Sequence, residues 1–177
     1  WLTQNEGTFL YKQAKKSSRK YAIVEIGSWK GKSTVCLGLG VKNGNGGKVY
    51  AVDPHKDTTE HKQWSGNADT YDTYSIFLAN IKKAGIDQYI VPIRSTSEKA
   101  AAIFKKPIAF LFIDGSHHFS HIKLDCELWF PKLMEGGTIA GLTRANSNFP
   151  KAMQFDYEVD WSKNKIKTLD ISSVHKA

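Results

Sequence analysis

The stretch Tyr21–Leu39, YAIVEIGSWKGKSTVCLGL, restricts the fold of this chain more than any other. Tyr21-Ala22-Ile23-Val24 is a short apolar run with β-branched members, and it stops at Glu25. Gly27-Ser28-Trp29-Lys30-Gly31 is a turn, and from Lys32 the pattern becomes helical, with Val35, Leu37 and Leu39 apolar. Strand, glycine turn and helix make the first half of a βαβ unit, so a parallel sheet is expected. Ligands of such sheets lie beyond the carboxyl ends of the strands. Glycines there let the backbone come close to a ligand, and the helix start offers unpaired N–H groups to its anionic part.

Gly27-x-x-x-Gly31-Lys32-Ser33 nearly spells the phosphate loop of nucleotide triphosphatases, and Phe110–Ile113 ending at Asp114 resembles the strand that carries a magnesium-binding Asp. That loop needs four residues between its glycines, and three stand here; the shorter loop has the wrong radius to encircle a phosphate. The nicotinamide fingerprint fails too, because Trp29 occupies the place of its second glycine.

Further strand ends follow in order. Lys48–Val52 reads as a second strand ending at Asp53-Pro54, about one βαβ length beyond the first. Tyr71, Tyr74, Phe77, Leu78 and Ile81 have helical spacing, closed by Gly85. Tyr89–Ile93 is a third strand whose Pro92 favours an edge. Arg94-Ser95-Thr96-Ser97 leads into a helix over Glu98–Phe104, with Ser97 read as its N-cap. Ile108–Ile113 is continuously apolar, as a strand buried on both faces must be, and it ends at Asp114-Gly115-Ser116-His117-His118. Ile122, Cys126, Trp129, Phe130 and Leu133 mark another helix, disturbed by Pro131, before a fifth strand at Thr138–Gly141. Before all of this, Thr3 and Glu6 have capping-box spacing and announce a helix through Phe9, Leu10 and Ala14. Phe155–Val159 and Ile166–Val174 are strand candidates that the pattern does not order.

Val24–Ser33 resembles motif I of class I S-adenosylmethionine-dependent methyltransferases, closest to the catechol O-methyltransferase-like and family-24-like branch of small-molecule O-methyltransferases. The resemblance covers roughly Thr3 to Gly141. It implies one Rossmann-like domain over residues 1–177, an α/β three-layer sandwich with a mostly parallel seven-stranded sheet and an antiparallel strand near the C-terminus. It implies S-adenosylmethionine as cofactor, held by Glu25, Gly27, Ser28, Trp29, Gly31, Ser33, Asp53, Thr96, Ser97 and Asp114. Ser33 matches the contact to the methionine carboxylate, Asp53 the acceptor of the ribose hydroxyls, and Thr96, Ser97 and Glu98 the adenine side. Asp114 belongs near the sulfonium or acceptor. His117 stands where the catechol-type enzymes carry a basic lysine, so it is the candidate general base. Capping or packing the following helix would also explain it. Those enzymes hold Mg²⁺ with the Asp after the fourth strand and an Asp-Asn pair after the fifth; here the pair falls at Thr143-Arg144, which implies chemistry without a metal. His117, His118 and His121 match no zinc spacing.

Composition narrows the remaining classes. Of the 177 residues 41% are apolar, and no run approaches the roughly 18 needed to span a bilayer. Cys36 and Cys126 sit in apolar contexts without a pairing pattern and read as reduced thiols of a cytoplasmic protein. The chain begins at Trp1 with no leader pattern and no Met, which reads as a trimmed chain. A net charge of +8 could serve a nucleic acid, but the lysines are spread and no recognition motif accompanies them. The expected partner is a small-molecule acceptor, with neither nucleic acid nor membrane; homo-oligomerisation is left open. A triphosphatase and a non-catalytic S-adenosylmethionine-binding module stand as alternatives.

Overall fold

The structure, a computed structural model, describes residues 2–56, 72–116 and 118–141, together with the backbone of 156–160 and 165–169. The elements run α1 (Gln4–Lys16), β1 (Ala22–Ile26), α2 (Lys32–Lys42), β2 (Val49–Val52), α3 (Tyr74–Lys83), β3 (Ile90–Ile93), α4 (Ser97–Ile103), β4 (Ile108–Ile113), α5 (Phe119–Trp129), β5 (Leu133–Gly141), β6 (Asp156–Asp160) and β7 (Lys165–Leu169). β1 to β5 form one sheet in the order β3-β2-β1-β4-β5, with every neighbouring pair parallel. The described sheet therefore has five parallel strands where seven with one antiparallel member were expected. β6 and β7 pair antiparallel with each other as a separate ribbon.

Alternation along the strands divides the core. Ile23, Phe110 and Phe112 pack with Leu10 of α1, Leu37 and Val41 of α2, and Phe77 and Ile81 of α3. Val24, Ile26, Leu111 and Ile113 face Ala100 of α4 and Cys126 and Trp129 of α5. The continuous apolarity of β1 and β4 thus reflects burial on both faces, as the central strands of a three-layer α/β sandwich require. Pro92 lies on edge strand β3, where its missing N–H breaks no interior ladder.

Local signals explain the boundaries. The Thr3 side chain accepts the Glu6 N–H while the Glu6 carboxylate accepts the Thr3 N–H at 2.6 Å, completing the capping box of α1. The cap of α4 is Thr96, whose hydroxyl accepts the Lys99 N–H; Ser97, expected as the cap, is already the first helical residue. Pro131 stands in a short 3-10 turn that ends α5, and the fifth strand starts at Leu133, five residues earlier than expected. Its pairing with β4 is shifted between Ile108 and Phe110, around Glu135-Gly136-Gly137. Among the described residues no helix is long and apolar enough to cross a membrane.

Candidate functional site

The chain leaves β1 for α2 on one side and later returns to β4 on the other, so the switch point of the sheet lies between the carboxyl ends of β1 and β4. Gly27 begins the turn there with φ +87°. Its N–H donates to Val52 of β2, and the Asp114 N–H donates to Ile26 of β1, each at 2.8 Å. A Cβ on Gly27 would stand 2.3 Å from the Asp114 carbonyl oxygen, so only glycine allows the ends of β1 and β4 to meet so closely. Gly31, φ +86°, closes the turn as the N-cap of α2, and its own Cβ would press on Phe77.

Two carboxylates are buried here. Glu25 is completely buried, and its Oε2 accepts the Thr34 hydroxyl at 2.5 Å. Burial pushes its pKa up to about 7; the Ser33 and Thr34 hydroxyls pull it down, and the carboxylates of Asp114 and Asp53 push it further up. Asp53 is 6% exposed, with its Oδ2 accepting the Trp29 N–H at 2.8 Å and its Oδ1 accepting the His55 N–H at 2.6 Å. Glu25 Oε1, Ser28 Oγ and Trp29 Nε1 are buried with no hydrogen-bond partner among the described residues. The end of β1 and two adjacent turn positions thus present an acceptor and two donor-capable groups without a partner among the described residues, which fits a polar ligand seated on the turn.

Of the expected site residues, Glu25, Gly27, Ser28, Trp29, Gly31, Ser33, Asp53 and Asp114 gather at this edge. Thr96 and Ser97 lie at the start of α4, just beyond β3. The Ser97 hydroxyl accepts the Trp129 indole N–H at 2.8 Å and faces Asp125, so the side chain is engaged between α4 and α5. His117 and the Thr143-Arg144 pair fall outside the described residues. His121 Nδ1 lies 2.8 Å from the Ser116 hydroxyl, and the His118 and His121 rings meet edge to face at 5.7 Å. Among the described residues no group of three His, Cys, Asp or Glu side chains is placed to hold a metal.

Lys32, the lysine of the near phosphate loop, is exposed and donates to the Leu2 carbonyl at 2.7 Å, tying the chain start to the first turn of α2. It is directed to protein rather than toward a triphosphate. Both cysteines are free. Burial, with the Asp125 and Glu127 carboxylates, pushes the Cys126 thiol up to about 11, which makes it a poor nucleophile.

The sequence did not single out Thr34, His55, Thr73 or Asp125. Thr34 is the hydroxyl donor to Glu25. His55 is wholly buried, its Nδ1 2.9 Å from the Thr73 hydroxyl, and its ring lies 5.1 Å from those of Tyr74 and Phe77. Asp125 is buried beneath Gly115; burial raises its pKa, against the hydrogen bond from Ser97.

Comparison with known proteins agrees with this geometry. The O-methyltransferase from Bacillus cereus in complex with SAH superimposes with a TM-score of 0.55 at 21% identity, over 80% of this chain and 57% of that one. The O-methyltransferase TomG from Streptomyces achromogenes, involved in tomaymycin synthesis and in complex with SAM, gives 0.60 at 13% identity, over 80% and 56%. An rRNA methylase from Streptococcus thermophilus gives 0.53 at 17% identity, over 75% and 67%. The chain thus spans little more than half the length of the two O-methyltransferases, and at these identities the likeness establishes the fold. A family model described as a methyltransferase domain matches residues 24–141, well over half of the chain and the carboxyl ends of all five parallel strands. On that match the chain belongs to the methyltransferase domain family, within the class I S-adenosylmethionine-dependent methyltransferases.

Proposed function

We propose that this domain transfers the methyl group of S-adenosylmethionine to a hydroxyl of a small molecule. The observation that carries the reading is the meeting of Glu25, the Gly27–Gly31 turn, Asp53 and Asp114 at the switch point, with unsatisfied polar atoms at Glu25, Ser28 and Trp29. The O-methyltransferase neighbours support the acceptor class through fold alone.

When bound, the cofactor supplies an electrophilic methyl on a sulfonium, so the protein has to orient the acceptor oxygen and remove its proton. The N–H groups opening α2, with Ser33, face the methionine carboxylate. Glu25 offers negative charge toward the cofactor's cationic end. Asp53 accepts from the ribose hydroxyls, and Thr96 and Ser97 border the adenine. Asp114 lies beside the sulfonium or the acceptor. His117, three residues on, is the general base, since an imidazole with an ordinary pKa near ~6.5 takes a hydroxyl proton at neutral pH. Thr143-Arg144, in place of a metal-binding pair, supports turnover without Mg²⁺.

The test is release of S-adenosylhomocysteine across a panel of hydroxylated acceptors, with wild type and His117→Ala, in EDTA and in Mg²⁺. Wild type is expected to turn over in EDTA, with kcat roughly 10²- to 10⁴-fold lower in the variant. An unchanged kcat in His117→Ala removes the base, and dependence on Mg²⁺ removes the metal-free reading. Cofactor binding without turnover on any acceptor would favour a binding module, and salt-sensitive retention of polynucleotides a nucleic-acid substrate.

A further inference from the structure

Trp29, with φ +43°, and His55, with φ +56°, are the two non-glycine residues among the described ones that adopt left-handed backbone conformations. Such conformations cost an L-residue energy and persist where the surroundings over-determine them. Both residues turn their N–H onto the same side chain: Trp29 donates to Asp53 Oδ2 and His55 to Asp53 Oδ1. What holds His55 in this state is visible. Its carbonyl accepts the Thr73 N–H at 3.2 Å, its Nδ1 lies 2.9 Å from the Thr73 hydroxyl, and its ring packs beside Tyr74 and Phe77. His55 and Thr73 are both wholly buried.

We infer that His55 and Thr73 are positioning residues for Asp53: the pair fixes the left-handed turn at 55, and the turn fixes the Asp53 carboxylate for two adjacent hydroxyls. This rests on the proposed function, in which Asp53 meets the cofactor ribose. One N–H on each oxygen stops the carboxylate rotating about its terminal torsion and leaves an acceptor direction free on each oxygen. A cis-diol can satisfy both without reorganising the site, whereas a ligand lacking one hydroxyl leaves a nearly buried carboxylate oxygen short of a donor. Thr73 touches no ligand in this account. It acts through His55, and His55 through its backbone N–H, with the ring Nδ1 standing 3.8 Å from the same Asp53 Oδ1.

Calorimetry with S-adenosylhomocysteine and its 2′-deoxyribosyl analogue tests this in wild type, Thr73→Val and Thr73→Ser. Wild type is expected to prefer the intact ribose by about tenfold or more, as the loss of a hydrogen bond to a charged acceptor implies. Thr73→Val, which keeps the volume and removes the hydroxyl, should shrink that preference by about threefold or more, and Thr73→Ser should restore it. If Thr73→Val weakens both ligands equally, or leaves both untouched, the pair does not position Asp53 and the inference is wrong. Wild type that binds S-adenosylhomocysteine without preferring the ribose overturns the inference and leaves the methyltransferase reading standing. Wild type that binds neither ligand overturns that reading itself. His55→Asn adds a second variant, because asparagine adopts the left-handed backbone readily and keeps the N–H at 55; it should retain the preference that Thr73→Val loses, and its loss would mean that the ring rather than the turn holds Asp53 and would overturn the inference.

Discussion

Glu25 and Asp53 end neighbouring parallel strands, and both carboxylates are buried, yet the fold treats them in opposite ways. Asp53 receives a backbone N–H on each oxygen. Glu25 receives side-chain hydroxyls, keeps Oε1 without a partner among the described residues, and has its pKa lifted to about 7. The difference teaches what each is fitted for. A carboxylate fixed by two amides has a set direction and suits recognition of paired donors. A buried carboxylate whose charge is costly suits a cationic ligand, whose arrival stabilises the ionised form.

The largest expected effect falls on the turn that both depend on. Gly27→Ala forces a Cβ against the Asp114 backbone at a residue with φ +87°, where neither the chain nor a flexible side chain can yield. Overpacking and left-handed strain together should cost about 4 kcal/mol, and binding of S-adenosylhomocysteine should be lost. Urea denaturation measures the first and calorimetry the second. A variant that stays stable and binds would show that the ends of β1 and β4 need not meet so closely.

The titration of Glu25 comes next. Its folded pKa, about 7, lies above the ordinary carboxylate value of 4.5, so between these pH values the folded state binds more protons than the unfolded. Its contribution is full below pH 4.5 and lost as pH rises through 7, amounting to about 3 kcal/mol. Denaturation midpoints at pH 5 and pH 8 should show this decline in wild type and its flattening in Glu25→Gln. Equal slopes in the two proteins would mean that Glu25 is not the group that titrates. On the proposed function, adding S-adenosylmethionine should shrink the decline in wild type, since a cation held beside Glu25 would favour its charged form. Thr34→Val follows at about 2 kcal/mol, because it removes a buried hydroxyl donor and leaves the acceptor short. Its cost should exceed that of the same change at Thr96, whose hydroxyl caps a helix at the surface.

How far these relations could be read in the chain depends on their range. β4 was legible to the residue because six consecutive apolar residues, too few for a buried helix and closed by Asp114-Gly115, suit a doubly covered strand. Glu25 and Asp53 were legible because each follows an apolar run close before a turn. The α4 cap was misread by one position, since Ser95, Thr96 and Ser97 all suit it chemically and only the backbone angles choose among them. His55 was missed because its partner Thr73 stands eighteen residues on, across a polar stretch without periodicity. Asp125 was missed for the same reason: its partner Ser97 lies on another helix, and a lone Asp beside Cys126 reads as an ordinary polar position. Local pattern reports which faces are buried. It cannot report which buried polar groups meet.

The smallest effect sharpens the contrast through its sign. Asp53→Asn keeps the shape and removes the charge, as Glu25→Gln does, but one of its two terminal atoms becomes an NH₂ group. That group must then face the N–H of either Trp29 or His55, a donor against a donor in a nearly buried place. The variant should lose about 1 kcal/mol at pH 8, where Glu25→Gln gains, because the amides at 53 already match a carboxylate while at 25 burial outweighs the hydroxyls that favour the charge. On the proposed function, S-adenosylhomocysteine affinity should fall in Asp53→Asn by about tenfold, since the remaining oxygen could serve only one ribose hydroxyl. Stability changes of the same sign in both variants would show that the two carboxylates occupy equivalent environments. In that case the paired left-handed turns at Trp29 and His55 would need another reason to exist.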